Sequence, residues 1–351
     1  MKKASVSNTT VFDAKKLLLS AAGLATSVLP VRLRHALATS LLNDPSLVRQ
    51  YGYRYLSGLA GKLNVVRLSA TGEYGTMSSS SNDLWILRAY AESGRWASQL
   101  SERLTAFFSG TGGTYLDIGA NIGMTSIPIL QQNPAVQCYA FEPEPVNYQN
   151  LLLNISVNCP SSNIRPFQLA LHEQKGMLPF EISDTNLGAH RLHVETGLAP
   201  KLAEASRRVT EVACERLDDL PIELRHPVFA KIDTEGAEPF VVAGGRHTLS
   251  QADAILLEWH PYNMARLGSD PTVVLDFLET HFQYGEIEHT DAKTGQPGKR
   301  GSIKEITGQL AGTIEEWKND PSQYLDIIGT RNHNAVTDPV GTSRLEESEM
   351  P

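Results

Sequence analysis

Apolar runs alternate with helical stretches along most of the chain after residue 113. Short continuous apolar runs predict buried strands, whereas longer segments with apolar residues at helical spacing predict the helices between them. This pattern gives five core strands, at residues 114–118, 136–141, 164–169, 228–232 and 254–259. Strands that alternate with helices in this way are typical of a mostly parallel sheet covered by helices on both faces. We therefore predict a doubly wound α/β fold.

Two regions break this alternation. Short extended segments at residues 177–182 and 209–214 flank a polar loop, and we interpret them as a hairpin beside the main sheet. Residues 282–288 and 324–330 predict a final antiparallel pair of strands. A loop rich in glycine and lysine, at residues 291–304, is expected to separate the two.

The first part of the chain has a different pattern. Residues 1–81 are predicted to form an N-terminal helical extension and linker, and the serine cluster at residues 78–82 is typical of the linker. Asn82 or Asp83 is expected to cap the next helix. We place the start of the main domain there and its end at residue 331.

The two terminal segments suit other roles. The apolar residues 17–31 lie between basic residues and fit a packed helix, a helix that binds a membrane surface or a partner, or a cleaved signal. This run is too short to cross a bilayer. The acidic residues 332–351 predict a disordered tail. We expect a cytoplasmic protein, with residues 17–31 as the route to any peripheral membrane contact.

Charge and cysteine content exclude several classes of protein. The 351 residues carry a formal net charge of -8, whereas proteins that wrap nucleic acid need a basic surface. No nucleic-acid partner is therefore predicted. Cys138, Cys159 and Cys214 have no C-x-x-C spacing, so zinc and disulfide sites are not predicted either. Buried free thiols, as in a reducing compartment, are expected.

An acidic glycine turn follows the first core strand. It begins at Asp117 and contains Gly119, Asn121 and Gly123, while the second strand ends at Glu142. Glycines let the backbone approach a ligand closely, and the following helix presents N–H groups to an anionic group such as a carboxylate.

These two acids suit a ligand with a cationic end and a ribose. Asp117 would face the cation, and Glu142 can accept hydrogen bonds from two ribose hydroxyls. The dinucleotide spacing G-x-G-x-x-G is absent, and an acid beside a diphosphate would repel it. S-adenosylmethionine therefore fits better than NAD.

Candidate catalytic residues lie where other strands end, at the edge of the sheet where ligands bind. Asp233, Glu235 and His260 are the candidates, and we favour His260 or Asp233 as the general base. Each also has a structural interpretation: His260 can bond a loop carbonyl, Asp233 can orient Lys231 or cap a helix, and Glu235 suits a first helical turn. Asp233, Glu235 and Glu258 are too scattered to make a strong case for a divalent cation, so no metal is predicted.

The polar loop at residues 184–191 is interpreted either as a lid over the acceptor or as a plain surface loop. Within and after it, His190, Arg191 and His193 would matter if the acceptor carried a carboxylate or phosphate.

The chain resembles the FkbM-type branch of the class I S-adenosylmethionine-dependent methyltransferases. The resemblance covers about residues 84–331 and is carried by residues 116–123, 141–145, 147–148, 151–154, 170–171, 231–238, Gly176 and Glu258. It implies a seven-stranded, Rossmann-like sheet and methyl transfer, usually to a hydroxyl of a natural product, sugar or glycan. It also implies cofactor contacts, at Asp117, Gly119, Asn121, Gly123 and Glu142, with Ala170 near the adenine.

The predicted function is thus O-methylation of a small hydroxylated metabolite or glycan. Two other functions stay open at this point: a NAD-dependent oxidoreductase on a similar fold, and a non-catalytic interaction protein that retains a nucleoside-binding fold. Binding titrations with each cofactor, and turnover with any acceptor, would separate them. The pattern does not predict the oligomeric state.

Overall fold

A computed structural model describes most of the chain between residues 52 and 332, in the segments 52–62, 65–184, 186–194, 207–288 and 299–332, with a few isolated positions before them. The structure divides into two units, one formed by the described residues up to Trp96 with Asp184–Gly188, the other by Ala97–Ser183 and the described residues from Ala189 onward. Almost all of residues 17–31, and the tail after residue 332, lie outside the described residues, so the interpretations of both stay predictions.

The first unit contains a hairpin that the sequence did not predict. Helix α1 (Tyr53–Lys62) is followed by strands β1 (Arg67–Gly72) and β2 (Gly75–Ser80) and by helix α2 (Ile86–Ser93). The serine cluster interpreted as a linker therefore lies mainly in β2. Small hydroxyl side chains can be buried there because they bond to one another, as the Oγ atoms of Ser69 and Ser78 do at 2.8 Å.

Asp83 lies just before α2 and caps its start, as predicted. Its buried carboxylate accepts hydrogen bonds from the backbone N–H groups of Trp85, Ile86 and Leu87, which would otherwise lack partners at a helix start. The main segment of the first unit extends to Trp96, and the domain boundary at residues 81 and 82 stays a prediction.

The second unit contains a large sheet, a small sheet and the helices that cover them. Its strands are β3 (Gly113–Ile118), β4 (Val136–Phe141), β5 (Asn163–Phe167), β6 (Ala170–Leu171), β7 (Gly176–Ile182), β8 (Arg191–Leu192), β9 (Arg208–Glu215), β10 (Val228–Ile232), β11 (Ala254–Trp259), β12 (Tyr284–Glu288), β13 (Lys299–Ser302) and β14 (Leu325–Thr330). Its helices are α3 (Ser98–Phe107), α4 (Ser126–Gln132), α5 (Pro145–Asn158), α6 (Glu238–Gly244), α7 (Arg246–Leu249), α8 (Pro261–Leu267), α9 (Thr272–His281) and α10 (Ile303–Trp317).

The large sheet has the order β13-β12-β14-β11-β10-β3-β4-β5. The five strands from β11 to β5 are parallel, and β14 is antiparallel to both of its neighbours. Every residue of β3, β4 and β10 is buried, as expected for strands covered on both faces. The predicted α/β fold, its five core strands and its final antiparallel pair are confirmed.

The sheet carries one strand more than the seven predicted. The residues assigned to the end of a loop form β13 and the start of α10. Strand β13 was not predicted because an edge strand tolerates charged side chains. Arg300 is an example, and it donates a hydrogen bond to Glu286 on the neighbouring strand β12. The start of helix α10 was predictable from the sequence, because Ser302 and Glu305 have the spacing of a capping box, which they form.

The predicted hairpin is the centre of the small sheet. Strands β7 and β9 pair along their length, in antiparallel register from Gly176 opposite Cys214 to Ile182 opposite Arg208. The short strands β6 and β8 flank them and complete the order β6-β9-β7-β8. This arrangement puts Ala170 in β6 and Arg191 in β8.

The order of the large sheet reverses beside β3. The chain proceeds outward through β4 and β5, then returns to place β10 on the other side of β3. Parallel strands end at one edge, so the segments that follow β3, β4, β10 and β11 meet at the position where ligands bind in such sheets.

Candidate active site

The turn after β3 packs tightly against the segment that follows β10. Gly119 has a φ of +83°, and a Cβ there would lie 1.9 Å from the carbonyl oxygen of Asp233. Gly123 has a φ of +91°, and a Cβ there would meet the side chains of Leu151 and Ile127 at 2.9 and 3.0 Å. Glycine is therefore required by contacts within the protein, in addition to any approach of a ligand.

Glu142 joins the turns that follow β3 and β4. Its Oε2 accepts from the backbone N–H of Asn121 at 2.9 Å, and its Oε1 from that of Glu144 at 2.8 Å. Asn121 adopts a left-handed φ of 51°, which asparagine tolerates better than most residues. Burial raises the pKa of Glu142 to about 8. Each carboxylate oxygen keeps a further lone pair that a ligand hydroxyl can use.

Asp117 lies beneath the turn. It is fully buried, and its Oδ2 accepts from the hydroxyls of Thr125 and Ser126 at 2.6 and 2.5 Å. The ammonium of Lys231 lies 3.5 Å from its Oδ1. The carboxylate is thus held by partners within the protein, and its direct contact with a cofactor stays a prediction.

Lys231, on strand β10, contacts the end of strand β3 and the turn that follows it. Its Nζ donates to the carbonyl of Gly119 at 2.8 Å and lies 3.3 Å from Oδ2 of Asp233. Burial opposes its charge, but Asp233 and Asp117 outweigh that effect and raise the pKa of Lys231. The lysine is paired, as predicted, and Asp233 is oriented by it. The side chain of Asp233 is 44% exposed, so solvent or a substrate can also reach it.

Three side chains converge beyond the ends of β10 and β11. One potential ligand atom each from Glu235, Glu258 and His260 lies within 4.8 Å of the other two. These residue types are also found around divalent cations. The structure therefore brings together two of the three predicted catalytic residues and adds Glu258 to them.

Carboxylates crowd this region. Burial, with the charges of Asp233 and Glu238, raises the pKa of Glu235 to about 8. Burial, with the charges of Glu235, Asp233 and Glu238, raises the pKa of Glu258 well above its ordinary value. Nearby, burial raises the pKa of Glu238 to about 7, although its carboxylate accepts hydrogen bonds from the backbone of Thr234 and Gly236. Such a site favours a positively charged group.

Asn263 links two members of this cluster, Glu235 and His260. Its Nδ2 donates to Oε2 of Glu235 at 2.8 Å and lies 2.7 Å from Nδ1 of His260. Arg191 donates to its Oδ1 at 3.3 Å. The guanidinium of Arg191 is held by Glu181 at 2.8 Å, so a buried network reaches from the small sheet to the cluster.

A known protein family matches about half of this chain. Residues 117–286 match the model of the methyltransferase FkbM domain, from the glycine turn to strand β12. Residues 117–286 form a methyltransferase FkbM domain.

Two curated relatives are methyltransferases. The 2-O-methyltransferase NoeI of Sinorhizobium fredii (strain NBRC 101917 / NGR234) is 27% identical over 176 residues, which cover 46% of this chain and 70% of NoeI. The methyltransferase sdnD of Sordaria araneosa is 26% identical over 171 residues, which cover 42% of this chain and 66% of sdnD.

Among solved structures, precorrin-6Y C5,15-methyltransferase from Geobacter metallireducens is similar at 15% identity and a TM-score of 0.35. The likeness covers 67% of this chain and 88% of that one. The family assignment therefore depends on the sequence match.

The cofactor of this FkbM methyltransferase is S-adenosylmethionine. The residues beside the glycine turn fit it, because the acids Asp117 and Glu142 would repel a diphosphate and favour a sulfonium. Glu142 is also placed, beside the glycine turn, where a ribose acceptor is expected. The individual cofactor contacts, including those of Asn121 and Ala170, stay predictions.

The predicted lid, residues 184–191, is not a single loop. Asp184–Gly188 belong to the first unit, whereas Arg191 lies in strand β8 and not in a loop. His190 is buried, and its Nδ1 accepts from the backbone N–H of Ser183 at 3.0 Å. Burial lowers the pKa of His190 to about 4, with Arg207 and Arg208 adding to the effect, so this histidine has a structural role.

Sequence reasoning did not find Asn263. A weak signal existed, since Asn263 lies three residues after His260 at a helix start, a spacing that brings side chains together. The contact with Arg191 spans 72 residues and had no local signal.

Proposed function

We propose that this methyltransferase transfers a methyl group to a hydroxyl oxygen of a small metabolite, sugar or glycan. The main support is the cluster of Glu235, Glu258 and His260 beyond the ends of β10 and β11. An alcohol is a weak nucleophile until a nearby base takes its proton, and the cluster supplies carboxylates for that purpose. The name of the relative NoeI, a 2-O-methyltransferase, is consistent with this proposal.

The residues divide into two groups. The glycine turn and Glu142 would hold the cofactor, whose sulfonium supplies an electrophilic methyl group. The cluster and Asp233 would hold the acceptor and receive its proton. Fixing both in line is expected to contribute much of the rate, because proximity alone removes a large entropic barrier.

The test uses S-adenosylmethionine labelled with ¹³C in its methyl group, incubated with the purified protein and a metabolite extract. NMR of the product distinguishes a methyl ether from a methyl attached to nitrogen or carbon. An ether supports the proposal, whereas an N-methyl or C-methyl product overturns it. Glu142→Ala should abolish both cofactor binding, measured by calorimetry, and transfer, while the exposed control Glu316→Gln should change neither.

We also propose a cytoplasmic location. All three cysteines of the chain are buried free thiols, which suits a reducing compartment. Among the described helices, none is both long enough and apolar enough to cross a bilayer. Fractionation of host cells with an antibody against the protein would test this location.

A further inference from the structure

The contacts of Asn263 determine which nitrogen of His260 carries a proton. A guanidinium has only donors, so the atom of Asn263 that faces Arg191 must be the carbonyl oxygen. The amide nitrogen therefore faces Glu235 and Nδ1 of His260. Because an amide nitrogen only donates, Nδ1 must accept. In the neutral ring the proton then lies on Nε2.

The orientation of this amide is well supported. Arg191 is 5% exposed, Asn263 2% and His260 7%, so water does not compete strongly for these bonds. Arg191 is itself fixed by Glu181, which also bonds Nδ1 of His193 at 2.9 Å. A rotated amide would set its NH₂ group against the guanidinium of Arg191.

This protonation state limits what His260 can do. With a proton on Nε2, that edge of the ring donates a hydrogen bond and cannot remove a proton from an alcohol. Glu258 can accept that proton instead, since its Oε2 is buried without a hydrogen-bond partner among the described residues. The carboxylate of Glu235, in contrast, already accepts from Asn263. Two hydrogen bonds of about 2.8 Å that share one oxygen bridge groups about 4.5 Å apart, and the ligand atoms of this cluster lie within 4.8 Å of one another.

We propose that Glu258 is the general base, that His260 donates a hydrogen bond to the acceptor oxygen, and that Asn263 and Arg191 are positioning residues for His260. This proposal rests on the proposed O-methylation. In the step, the acceptor oxygen bonds to the methyl carbon, the carbon–sulfur bond breaks with its electron pair on sulfur, and the hydroxyl proton passes to Glu258. Solvent then removes that proton.

The surroundings of Glu258 suit a base. Asp233 and Glu235 act on it from the turn after β10 and Glu238 from the start of α6. Asp326 lies opposite it on β14, and His260 follows it closely in the chain. Burial and these neighbouring charges make the carboxylate more basic than an exposed one, and a stronger base takes an alcohol proton more readily once it is ionised. Transfer should therefore become faster as the pH rises above neutrality.

A divalent cation would require the opposite arrangement at His260. A metal bound at Nε2 needs the lone pair there and a proton on Nδ1, which metal-bound histidines usually donate to a carboxylate or carbonyl. The protonation state of this ring therefore separates the two models before any acceptor is known.

The first experiment measures that protonation state. The full chain is labelled with ¹⁵N-histidine, and the signals of His260 are assigned by their loss in His260→Gln. Shifts typical of a proton on Nε2 support the proposal, and in Asn263→Leu they should move toward a mixture of the two neutral forms. A proton on Nδ1, or a charged ring at pH 8, overturns the proposal even if no transfer has been detected.

The second experiment uses the acceptor found with the labelled cofactor. Glu258→Gln should bind S-adenosylmethionine as the wild type does, yet slow transfer by about 100-fold or more and remove the alkaline rise in rate. His260→Gln should slow transfer less and keep that rise. A Glu258→Gln rate within threefold of the wild type overturns the proposal, as does activity that is lost in EDTA and restored by Mg²⁺ or Mn²⁺. Transfer to nitrogen or carbon would instead contradict the proposed function.

Discussion

Individual residues at the centre of the site are constrained by the protein before any ligand binds. Gly119 shows this directly, because the carbonyl oxygen of Asp233 occupies the space that a side chain would need. Its left-handed backbone adds a second reason for glycine.

Gly119→Ala should therefore lower the free energy of unfolding by about 2–5 kcal/mol, from strain at a positive φ and from overpacking. It should also weaken cofactor binding. Gly308→Ala is the matched control, since that helical glycine has nothing within 4 Å of an added Cβ and should be neutral or stabilise by up to about 1 kcal/mol. Urea unfolding of both variants checks this prediction, and equal effects would contradict it.

Lys231 offers a second prediction at this scale. Lys231→Met leaves the fully buried Asp117 without its nearby cation, which should destabilise the protein by about 3–5 kcal/mol. Adding Asp117→Asn should recover part of this loss, because the uncompensated charge is then removed. Thermal unfolding of the single and double variants measures it, and Lys318→Met on the surface is the control. A double variant less stable than Lys231→Met would contradict the argument.

Among the elements, those with apolar patterns were predictable and those with polar patterns were not. The core strands were predicted correctly because burial on both faces requires continuous apolar runs. Strand β2 was missed because its serines are satisfied by partners on β1 and by Asp83, which no local pattern reveals. Strand β13 was missed because an edge strand can be fully polar.

The candidate site shows the same division. Glu142 and Asp233 were predictable because strand ends in an α/β sheet meet at one edge. Arg191 and Asn263 act together across a long stretch of sequence, so only the folded chain shows that they orient His260.

Helix α10 gives a prediction at the element scale. Its capping box joins Ser302 and Glu305, so Ser302→Ala should cost about 0.5–2 kcal/mol of stability. The methyl-transfer rate should not change, because no described contact links this cap to the cluster. Chemical denaturation and a rate assay check both statements. Gln309→Ala, further along the same helix, is the control and should have a smaller effect.

For the whole molecule, buried acids set the dependence of stability on pH. Burial raises the pKa of Glu142 and Glu235 from 4.5 to about 8, and that of Asp326 from 3.8 to about 7. Such acids bind protons more tightly in the folded chain, so their contribution is complete below their unfolded pKa and is lost as the pH rises through the folded one.

The free energy of unfolding should therefore fall as the pH rises from about 5 to 8. Urea unfolding at several pH values measures this slope, and Glu142→Gln should reduce it. An unchanged slope in Glu142→Gln would contradict the role assigned to this carboxyl. Saturating S-adenosylmethionine should also reduce the slope, because a bound cation favours the ionised acids.

Gly119 and the carbonyl of Asp233 pack so closely that no side chain fits between them. This contact has a mechanical consequence. The backbone at Gly119 is expected to contact the methyl donor. The backbone at Asp233 leads into the cluster that is expected to bind the alcohol. With no side chain between them to give way, a displacement of either is transmitted to the other. Occupancy by the first substrate should thus alter affinity for the second, and thermodynamic reciprocity requires the same factor in both directions.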